Sequence, residues 1–221
     1  MGVSRNPPRL AVYPLTETSQ VWSQGLTEGI QQNATLGFIP GITEVYGANR
    51  SGKTLFNAKE GWEALLAGKK VYCNCPKDPN TGDYDCIILY THYHYDPREL
   101  FQLNLYDCFV LMDESGNFMD SAARTQMVRD LYKWGYQVKK RGIKWIYDTV
   151  RGKNIEYRVR SNPDFWVQTI RSPKDWHKPL SAVKIKVTNV NGVTRRATIR
   201  QPERYFKLYN HTVLVQPVIE K

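Results

Sequence analysis

The sequence has no apolar run that approaches the length of a membrane span. A helix that crosses a bilayer needs about 20 consecutive apolar residues, and no stretch of the 221 residues is of this kind. The first ten residues, MGVSRNPPRL, also lack the apolar core of a signal peptide. They do not place Ser or Thr where the N-myristoylation pattern requires it. We therefore expect a protein without a membrane anchor.

Cysteine is scarce as well, since the chain has only four. They are Cys73, Cys75, Cys86 and Cys108. So few cysteines in a chain of this size do not indicate a disulfide framework, and an intracellular, reducing setting is the better interpretation. A metal site can be drawn from the first three cysteines together with His92 and His94. Their spacing matches no standard zinc module, so buried thiols and surface histidines are the simpler interpretation.

Acidic residues are outnumbered by basic ones. The chain has 21 Asp and Glu against 31 Lys and Arg, which gives a net charge of +10. This excess favours a polyanionic partner such as nucleic acid, although lysine also serves solubility alone. A hydrophobic content of 41% and an aromatic content of 12% are typical of a folded chain. The length suits one core domain with modest extensions.

A phosphate-binding loop pattern lies at Gly47–Thr54. The segment GANRSGKT matches G-x-x-x-x-G-K-[ST] at every fixed position, between a strand-like run, Ile42–Tyr46, and a helical stretch, Leu55–Leu66. The residues predicted to bind the nucleotide are Gly47, Ala48, Asn49, Arg50, Ser51, Gly52, Lys53 and Thr54. Their backbone N–H groups would surround the β-phosphate, Lys53 would reach the β- and γ-oxygens, and the Thr54 hydroxyl would ligate Mg²⁺. The motif therefore predicts a site for a nucleoside triphosphate, taken as ATP, with Mg²⁺.

A second nucleotide motif begins in the apolar run at Tyr106 and ends at Asp113 and Glu114. A nearly continuous apolar run is typical of a parallel strand that is buried on both faces. Its two carboxylates follow at the strand end where α/β proteins bind ligands. Asp113 would hold Mg²⁺ through water, and Glu114 would polarise the water that attacks the γ-phosphate. Asp113 lies 59 positions after Thr54, which leaves room for one β-α pair between the motifs.

The remaining sequence alternates between strand and helix patterns. The predicted strands are Val71–Asn74, Ile87–Tyr90, Ile143–Thr149 and Phe165–Arg171, and the predicted helices are Ser19–Gln32, Pro97–Leu103 and Ala122–Lys140. Arg158 and Arg160 alternate on Ile155–Arg160, which we interpret as an extended segment close to the ligand end of the sheet. Two alternating runs, Ala182–Val187 and Thr194–Arg200, flank a turn sequence and predict a β-hairpin.

Basic side chains collect on the long predicted helix and on the hairpin. On or near the helix lie Arg124, Arg129, Lys133, Lys139, Lys140 and Arg141, and on the hairpin lie Lys184, Lys186, Arg195, Arg196 and Arg200. One interpretation is a solvated face in both places. The other gives one arginine of the helix to a neighbouring subunit's nucleotide and the remaining charges to DNA phosphates. On the hairpin, strand alternation alone explains the charges, which slightly favours the solvated face.

With both nucleotide motifs placed, the chain resembles the additional-strand, catalytic-glutamate P-loop ATPases of the FtsK/HerA superfamily. Within it, the chain is most similar to the small genome-packaging ATPases of archaeal and bacterial viruses and their Zot-like relatives. The resemblance is carried by Gly47–Thr54, by LMDESGNFMDS at Leu111–Ser121 and by the block Tyr147–Val167. RYFKLYNHT at Arg204–Thr212 is similar to the tails of such proteins. The resemblance extends from about Thr43 to Thr212.

The resemblance implies an α/β fold of the P-loop NTPase type, with a mainly parallel central sheet, flanking helices and a C-terminal β-hairpin extension. In such proteins the strand after the Asp-Glu motif inserts between that strand and the P-loop strand. The implied domains are an N-terminal extension over 1–41, an ATPase core over 42–172 and a β-rich extension over 173–221. The implied activity is Mg²⁺-dependent ATP hydrolysis that moves double-stranded DNA, into a capsid. A homo-oligomeric ring (hexamer or pentamer), capsid vertex partners and a location in the host cytoplasm or the virion follow from it.

The resemblance also implies catalytic roles. Thr149 ends the inserted strand and is the candidate sensor of the γ-phosphate. Gln usually follows this threonine in the family, but Val150 stands here, so that Thr149 acts alone or with Asp148. Glu156 stands where the family usually carries Asp. Arginine fingers in this superfamily come from a neighbouring subunit, and the candidates are Arg124, Arg129, Arg158 and Arg160, the last two first. The implied catalytic set is Lys53, Glu114, Thr149, Arg158 and Arg160.

Three other functions stay open. One is the ATPase part of a terminase large subunit, whose P-loop also reads GxNRSGKT. That protein normally continues into a nuclease domain, and no carboxylate cluster in these 221 residues replaces it. A second is a Zot-like ATPase that assembles virions without acting on DNA, for which a membrane span is the usual companion. The third is a scaffold that binds ATP tightly without turnover.

Overall fold

A computed structural model describes residues 37–75, 93–119, 126–150, 155–171 and 182–208, which contain an eight-stranded sheet with helices on both faces. The strands are β1 Gly41–Tyr46, β2 Lys70–Cys73, β3 Tyr93–His94, β4 Cys108–Met112, β5 Lys144–Thr149, β6 Phe165–Ile170, β7 Ala182–Asn189 and β8 Thr194–Arg200. The helices are α1 Lys53–Leu66, α2 Gln126–Val138 and the single turn α3 Tyr157–Arg160. Short 3₁₀ segments cover Leu100–Gln102, Ser115–Asn117 and Pro202–Leu208.

The sheet order is β3-β2-β4-β5-β1-β6-β7-β8. Strands from β3 to β6 in this order pair in parallel, and β6-β7 and β7-β8 pair antiparallel. β5 therefore separates the P-loop strand β1 from β4, which confirms the inserted strand. The parallel order brings the carboxyl ends of β1, β4 and β5 to one edge, where α/β proteins bind ligands.

Two apolar layers hold the sheet between its helices. On one face, Phe56 and Trp62 of α1 pack with Val45, Phe109 and Ile146. On the other face, α2 lies against β1 and β5, and the rings of Trp134 and Trp145 meet edge to face at 5.1 Å. The predicted burial of β4 is confirmed, since all five of its residues are buried. Burial of these side chains is the main favourable term that fixes the strand ends relative to one another.

The segment Ile155–Arg160 differs from its sequence-based prediction. The chain forms the helical turn α3 instead of an extended run. The carboxylate of Glu156 accepts the backbone N–H groups of Arg158 at 2.7 Å and Val159 at 3.3 Å, so it satisfies the first donors of the turn. The prediction of an extended segment was wrong because it rested on the alternation of Arg158 and Arg160. Two charges at a spacing of two residues do not by themselves indicate a strand.

Other predicted elements keep their place with changed bounds. The short helix over Pro97–Leu103 is only a 3₁₀ turn, Leu100–Gln102, preceded by a turn in which Asp96 accepts the N–H of Arg98 at 2.9 Å. The hairpin is confirmed, and β7 and β8 continue the central sheet beyond β6. Several predictions lie outside the described residues: helix Ser19–Gln32, strand Ile87–Tyr90, Cys86, His92 and Arg124.

Among the described residues, no helix is both long and apolar enough to cross a bilayer.

Candidate active site

The predicted phosphate loop connects β1 to α1 and is held in place by close contacts. Gly52 has a φ of +98°, and a Cβ at this position would lie 2.7 Å from a methyl carbon of Val183 in β7. A Cβ on Gly47 would overlap the hydroxyl oxygen of Thr169 in β6. Both positions therefore exclude any larger residue, Gly52 also by its left-handed backbone. The two fixed glycines of the motif are required by tertiary contacts as well as by phosphate access.

A buried hydroxyl pair ties the same loop to β6. The Ser51 and Thr169 hydroxyl oxygens lie 2.6 Å apart, and Thr169 also donates to the carbonyl of Tyr46 at 3.4 Å. Thr169 was not among the predicted site residues. It comes from a strand more than a hundred positions away along the chain, so only the sheet order places it against the loop.

The Lys53 ammonium folds back over the loop. It donates to the carbonyl oxygens of Gly47 at 3.1 Å and Ala48 at 3.4 Å, and the residue is only 9% exposed. An ammonium held above the loop backbone is where a β- or γ-phosphate oxygen would meet it. Thr54 follows in the first turn of α1 and is half-buried.

The predicted metal-binding carboxylate, Asp113, is fixed by a residue that the sequence did not suggest. Its N–H donates to Asn74 Oδ1 at 2.7 Å, and Asn74 Nδ2 donates back to its carbonyl at 3.0 Å. Asn74 follows β2, the parallel neighbour of β4, so the polar residue after that strand was the only sequence signal. Asp113 is 6% exposed, and its Oδ1 atom is buried without a hydrogen-bond partner among the described residues.

Asp148, near the end of β5, completes an acidic cluster with Asp113 and Glu114. Its Oδ1 accepts the N–H of Glu114 at 2.7 Å, and its carbonyl accepts the Ser115 hydroxyl. Burial, followed by the charge of Glu114, raises the pKa of Asp148 to about 6, although the Lys53 ammonium opposes this. Burial, followed by the charges of Asp148 and Glu114, raises the pKa of Asp113 well above its ordinary value. When Asp113 and Asp148 are ionised, the cluster therefore carries more negative charge than its own surroundings balance.

This donor set fits a small divalent cation. The buried, unpartnered carboxylate oxygen of Asp113 and the predicted hydroxyl ligand of Thr54 are both oxygen donors, which Mg²⁺ prefers. The fit is that of a cation bound through few protein ligands, with the rest of its shell supplied by phosphates and water.

Glu114 has a strained, left-handed backbone conformation. Its φ of 51° and ψ of 42° are left-handed, which costs a non-glycine residue roughly 1 kcal/mol. The hydrogen bond from its N–H to Asp148 holds this conformation. The side chain is exposed at the ligand edge of the sheet, whereas Asp113 beside it is buried. The carboxylate that the sequence predicts to bind Mg²⁺ is therefore buried, and the one that it predicts to polarise water is accessible.

The predicted sensor ends β5. Thr149 is 4% exposed and pairs in register with Tyr46, the last residue of β1, so it lies beside the start of the phosphate loop. Val150 is 38% exposed, and its side chain has no polar group to offer.

The two favoured arginines lie on α3. Arg158 is exposed and its Nε lies 3.9 Å from a carboxylate oxygen of Glu156, and the guanidinium of Arg160 lies 5.5 Å from the Tyr157 ring centroid. Within the described part of the chain, no hydrogen bond or ion pair joins either arginine to the loop or the acidic cluster. Arg129 is exposed on α2.

Of the cysteines that the structure describes, Cys75 lies beside a histidine. Cys75 Sγ lies 3.9 Å from His94 Nδ1. Over residues 37–75, 93–119, 126–150, 155–171 and 182–208, no group of three or more Cys, His, Asp or Glu has the arrangement of a metal site of that kind.

Solved structures of low sequence identity share this architecture. The N-terminal domain of zonular occludens toxin from Neisseria meningitidis aligns with a TM-score of 0.52 and 13% identity, over 78% of this chain and 100% of that domain. The genome packaging NTPase B204 from Sulfolobus turreted icosahedral virus 2, in complex with AMPPCP, aligns with a TM-score of 0.51 and 14% identity. The alignment covers 72% of this chain and 97% of that chain. The ATPase domain of G40P aligns with a TM-score of 0.51 and 10% identity, over 88% of this chain and 98% of that chain.

No protein-family model and no curated protein sequence matches the chain. At these identities the structural likeness concerns the fold alone. The sheet order, the loop between β1 and α1 and the three neighbours agree on it: the chain has an α/β P-loop NTPase fold.

Proposed function

We propose that the protein is an ATPase of the FtsK/HerA type that moves double-stranded DNA, in a viral genome-packaging role. The observation that carries the proposal is the meeting of Lys53, Asp113 and Glu114 at one sheet edge, with β5 inserted between their strands. This arrangement supports a P-loop enzyme that hydrolyses its nucleotide with a catalytic glutamate.

The proposed reaction divides among few side chains. The backbone N–H groups of Gly47–Thr54 bind the phosphates, and Lys53 stabilises negative charge on the transferring phosphoryl group. Thr54 and Asp113 would hold Mg²⁺, which when bound neutralises charge on the phosphate oxygens. Glu114 orients a water and accepts its proton as the water attacks the γ-phosphorus in line and the bond to ADP breaks. Thr149 acts as the sensor by donating a hydrogen bond from its hydroxyl to the γ-phosphate.

Oligomerisation completes the proposed site. Arg158 or Arg160 of one subunit would reach the nucleotide of the next in a ring of five or six subunits, with Arg124 and Arg129 as the other candidates. The exposed position of Arg158 on the single helical turn α3 supports this role. A positively charged finger at the γ-phosphate is worth roughly three powers of ten or more in rate in comparable enzymes.

Two observations support DNA as the partner. One is the net charge of +10. The other is the likeness to B204, which is described as the DNA-packaging ATPase of Sulfolobus turreted icosahedral virus. For such a motor we propose an ATPase core over 42–172 with extensions over 1–41 and 173–221. The motor would act in the host cytoplasm or the virion, docked on a capsid vertex.

A second candidate is a Zot-like ATPase of virion assembly that does not act on DNA. The likeness to the zonular occludens toxin domain over its whole length favours it. The two functions differ in whether duplex DNA changes the rate of ATP turnover.

The test is ATP hydrolysis with and without duplex DNA, for the wild type and for Glu114→Gln, with Mg²⁺ present. Glu203→Gln, which neutralises an exposed carboxylate on the 3₁₀ segment after β8, is the matched control. We expect DNA-stimulated turnover in the wild type and the control, and a loss of roughly 10² to 10⁴ in Glu114→Gln with ATP still bound. Turnover that is indifferent to DNA would favour the assembly ATPase, and ATP binding without turnover would leave only a nucleotide-binding scaffold.

A further inference from the structure

The outward face of β7 and β8 carries a set of cations that the sequence pattern could not separate from a solvated strand. In the antiparallel register, Lys186 lies opposite Arg196, Lys184 opposite Thr198 and Ala182 opposite Arg200. Lys184, Lys186, Arg196 and Arg200 therefore share one side of the sheet, and we call these four residues the cationic face.

The other side of the same strands is apolar and packed. Val183, Ile185 and Ile199 are buried in the core beneath α1 and the 3₁₀ segment Pro202–Leu208. Arg195 points to that side, because it pairs with Val187, and so it is not part of the cationic face. Of the five hairpin cations found in the sequence, four lie together and one does not.

The cationic face is accessible. Lys184, Arg196 and Arg200 are exposed, and Lys186 is half-buried between the neighbouring strands. On this side of the sheet, α2 packs over β1 and β5 through Trp134 and Gly135, so its apolar contacts lie two or more strands away.

Only one sign of charge is present on this part of the sheet. The three strands β6, β7 and β8 contain no Asp or Glu. Among the described residues, no carboxylate forms an ion pair with Lys184, Lys186 or Arg196. A face that serves only solubility usually mixes both signs, because like charges on adjacent strands repel each other. The repulsion is tolerated where a polyanion offsets it.

The spacing suits a repeating anion. Side chains two apart on a strand are about 7 Å apart, and neighbouring strands are about 4.8 Å apart, so the cations form a patch and not a single point. Threonine hydroxyls lie among them, and those of Thr188 and Thr194 are 3.0 Å apart across the strands. Hydroxyl, lysine and arginine groups on a sheet are the usual donors to phosphate oxygens. A second copy of this chain, with its own net charge of +10, is a poor partner for the same face.

The same strands touch the phosphate loop from their other side. Val183, between Ala182 and Lys184, packs against Gly52, and Thr169 of β6 holds Ser51 through the 2.6 Å hydroxyl contact. A polyanion bound on the outward side therefore acts on strands that support the nucleotide site.

We propose that the cationic face binds the phosphate backbone of duplex DNA, without sequence preference, next to the nucleotide site. This inference rests on the proposed function, since it names the surface that holds the partner proposed there. Lysine and arginine contacts to phosphate give affinity that falls steeply with salt, and no contact here is of the kind that reads bases.

The experiment is binding of a fluorescent duplex of about 30 base pairs across a salt series, for the full chain in the presence of a non-hydrolysable ATP analogue. The variant Lys184→Gln/Lys186→Gln/Arg196→Gln removes three charges from the cationic face. The matched control, Lys69→Gln/Lys70→Gln/Arg98→Gln, removes three positive charges from the region of β2 and β3, outside both basic sets of the helix and the hairpin. Thermal melting monitors whether each variant is folded.

We expect the variant Lys184→Gln/Lys186→Gln/Arg196→Gln, called the face variant, to lose roughly tenfold or more in affinity for the duplex at moderate salt. The slope of log affinity against log salt concentration should fall in magnitude by about 2 to 3. The control should retain most of the wild-type affinity and most of the wild-type slope. Lys184→Arg/Lys186→Arg should bind as the wild type does, because the charge is kept. Equal losses in variant and control would show a bulk charge effect and overturn the inference alone, as would full binding by the face variant. A wild type that binds no duplex at all would overturn the proposed function together with the inference.

Discussion

The side chain of Asn74 forms two hydrogen bonds with the main chain of Asp113: its Oδ1 accepts the N–H, and its Nδ2 donates to the carbonyl. It thereby replaces the backbone pairing that ends where β2 and β4 stop. The carboxylate that is proposed to hold Mg²⁺ is thus positioned by an amide on the residue directly after the neighbouring strand β2. Asn74 is a positioning residue, since it acts through Asp113.

Replacing Asn74 by Ala should weaken the use of Mg²⁺ more than the binding of nucleotide. The change leaves the buried N–H of Asp113 without its partner, which costs roughly 1 to 3 kcal/mol of the free energy of unfolding. We expect the Mg²⁺ concentration for half-maximal ATP turnover to rise several-fold, measured by a metal titration at saturating ATP. A merely structural role would lower stability and leave the Mg²⁺ titration where it is in the wild type. The control is Asn189→Ala, which removes an amide side chain at the end of β7, beside the hairpin turn. It should leave the Mg²⁺ titration unchanged.

Substituting Gly52 should cost more than substituting another glycine with a similar backbone. A Cβ at Gly52 meets Val183 at 2.7 Å in addition to the left-handed φ of +98°, whereas Gly68 has a φ of +74° and no atom within 4 Å of the place where its Cβ would lie. Gly68→Ala should therefore show only the backbone penalty, roughly 1 to 2 kcal/mol. Gly52→Ala should show this plus an overpacking cost of roughly 1 to 3 kcal/mol.

Urea unfolding of both glycine variants measures the difference between them. ATP binding should weaken in Gly52→Ala alone, because the loop must shift away from β7. If the two variants lose the same stability, the contact between the loop and β7 is not a constraint. Gly52→Ala combined with Val183→Ala should recover part of the overpacking cost.

Glu44 should make stability fall as the pH rises. It is 2% exposed on β1, and burial raises its pKa from 4.5 to about 7, although the hydrogen bond from Tyr147 and the charge of Arg160 oppose the shift. Folding keeps the proton on a group that is ionised in the unfolded chain above pH 4.5. The stability is therefore fully present below about pH 4.5 and is lost as the pH rises to about 7, by roughly 3 kcal/mol in all.

The check is urea unfolding of Glu44→Gln and of the exposed control Glu203→Gln between about pH 4 and pH 8. An amide resembles the protonated acid, so Glu44→Gln should lose the part of this slope that Glu44 contributes and keep the part that Asp113 and Asp148 contribute. It should also be the more stable protein at the alkaline end of the series. A wild-type slope that persists in Glu44→Gln would assign the pH dependence to other groups.

Much of the site could be predicted because its signals are local. Gly47–Thr54 sits between a strand pattern and a helix pattern, and the apolar run before Asp113 needs only its own composition to indicate a buried strand. The bounds of α3 show the limit of such reasoning. The alternation of Arg158 and Arg160 fits a strand, but the carboxylate of Glu156 supplies the two hydrogen bonds that start a helical turn instead.

By itself, the sequence determined that two nucleotide motifs exist, that a buried strand leads to the second, and that a basic hairpin follows the core. These depend on periodicity and on residues a few positions apart. The tertiary structure alone decided that Asn74 fixes Asp113, that Thr169 holds Ser51, and that four of five hairpin cations share a face. Each of these depends on which strands are neighbours and in which register. That order is set by burial of the whole sheet between its helices, and no short stretch of sequence contains it.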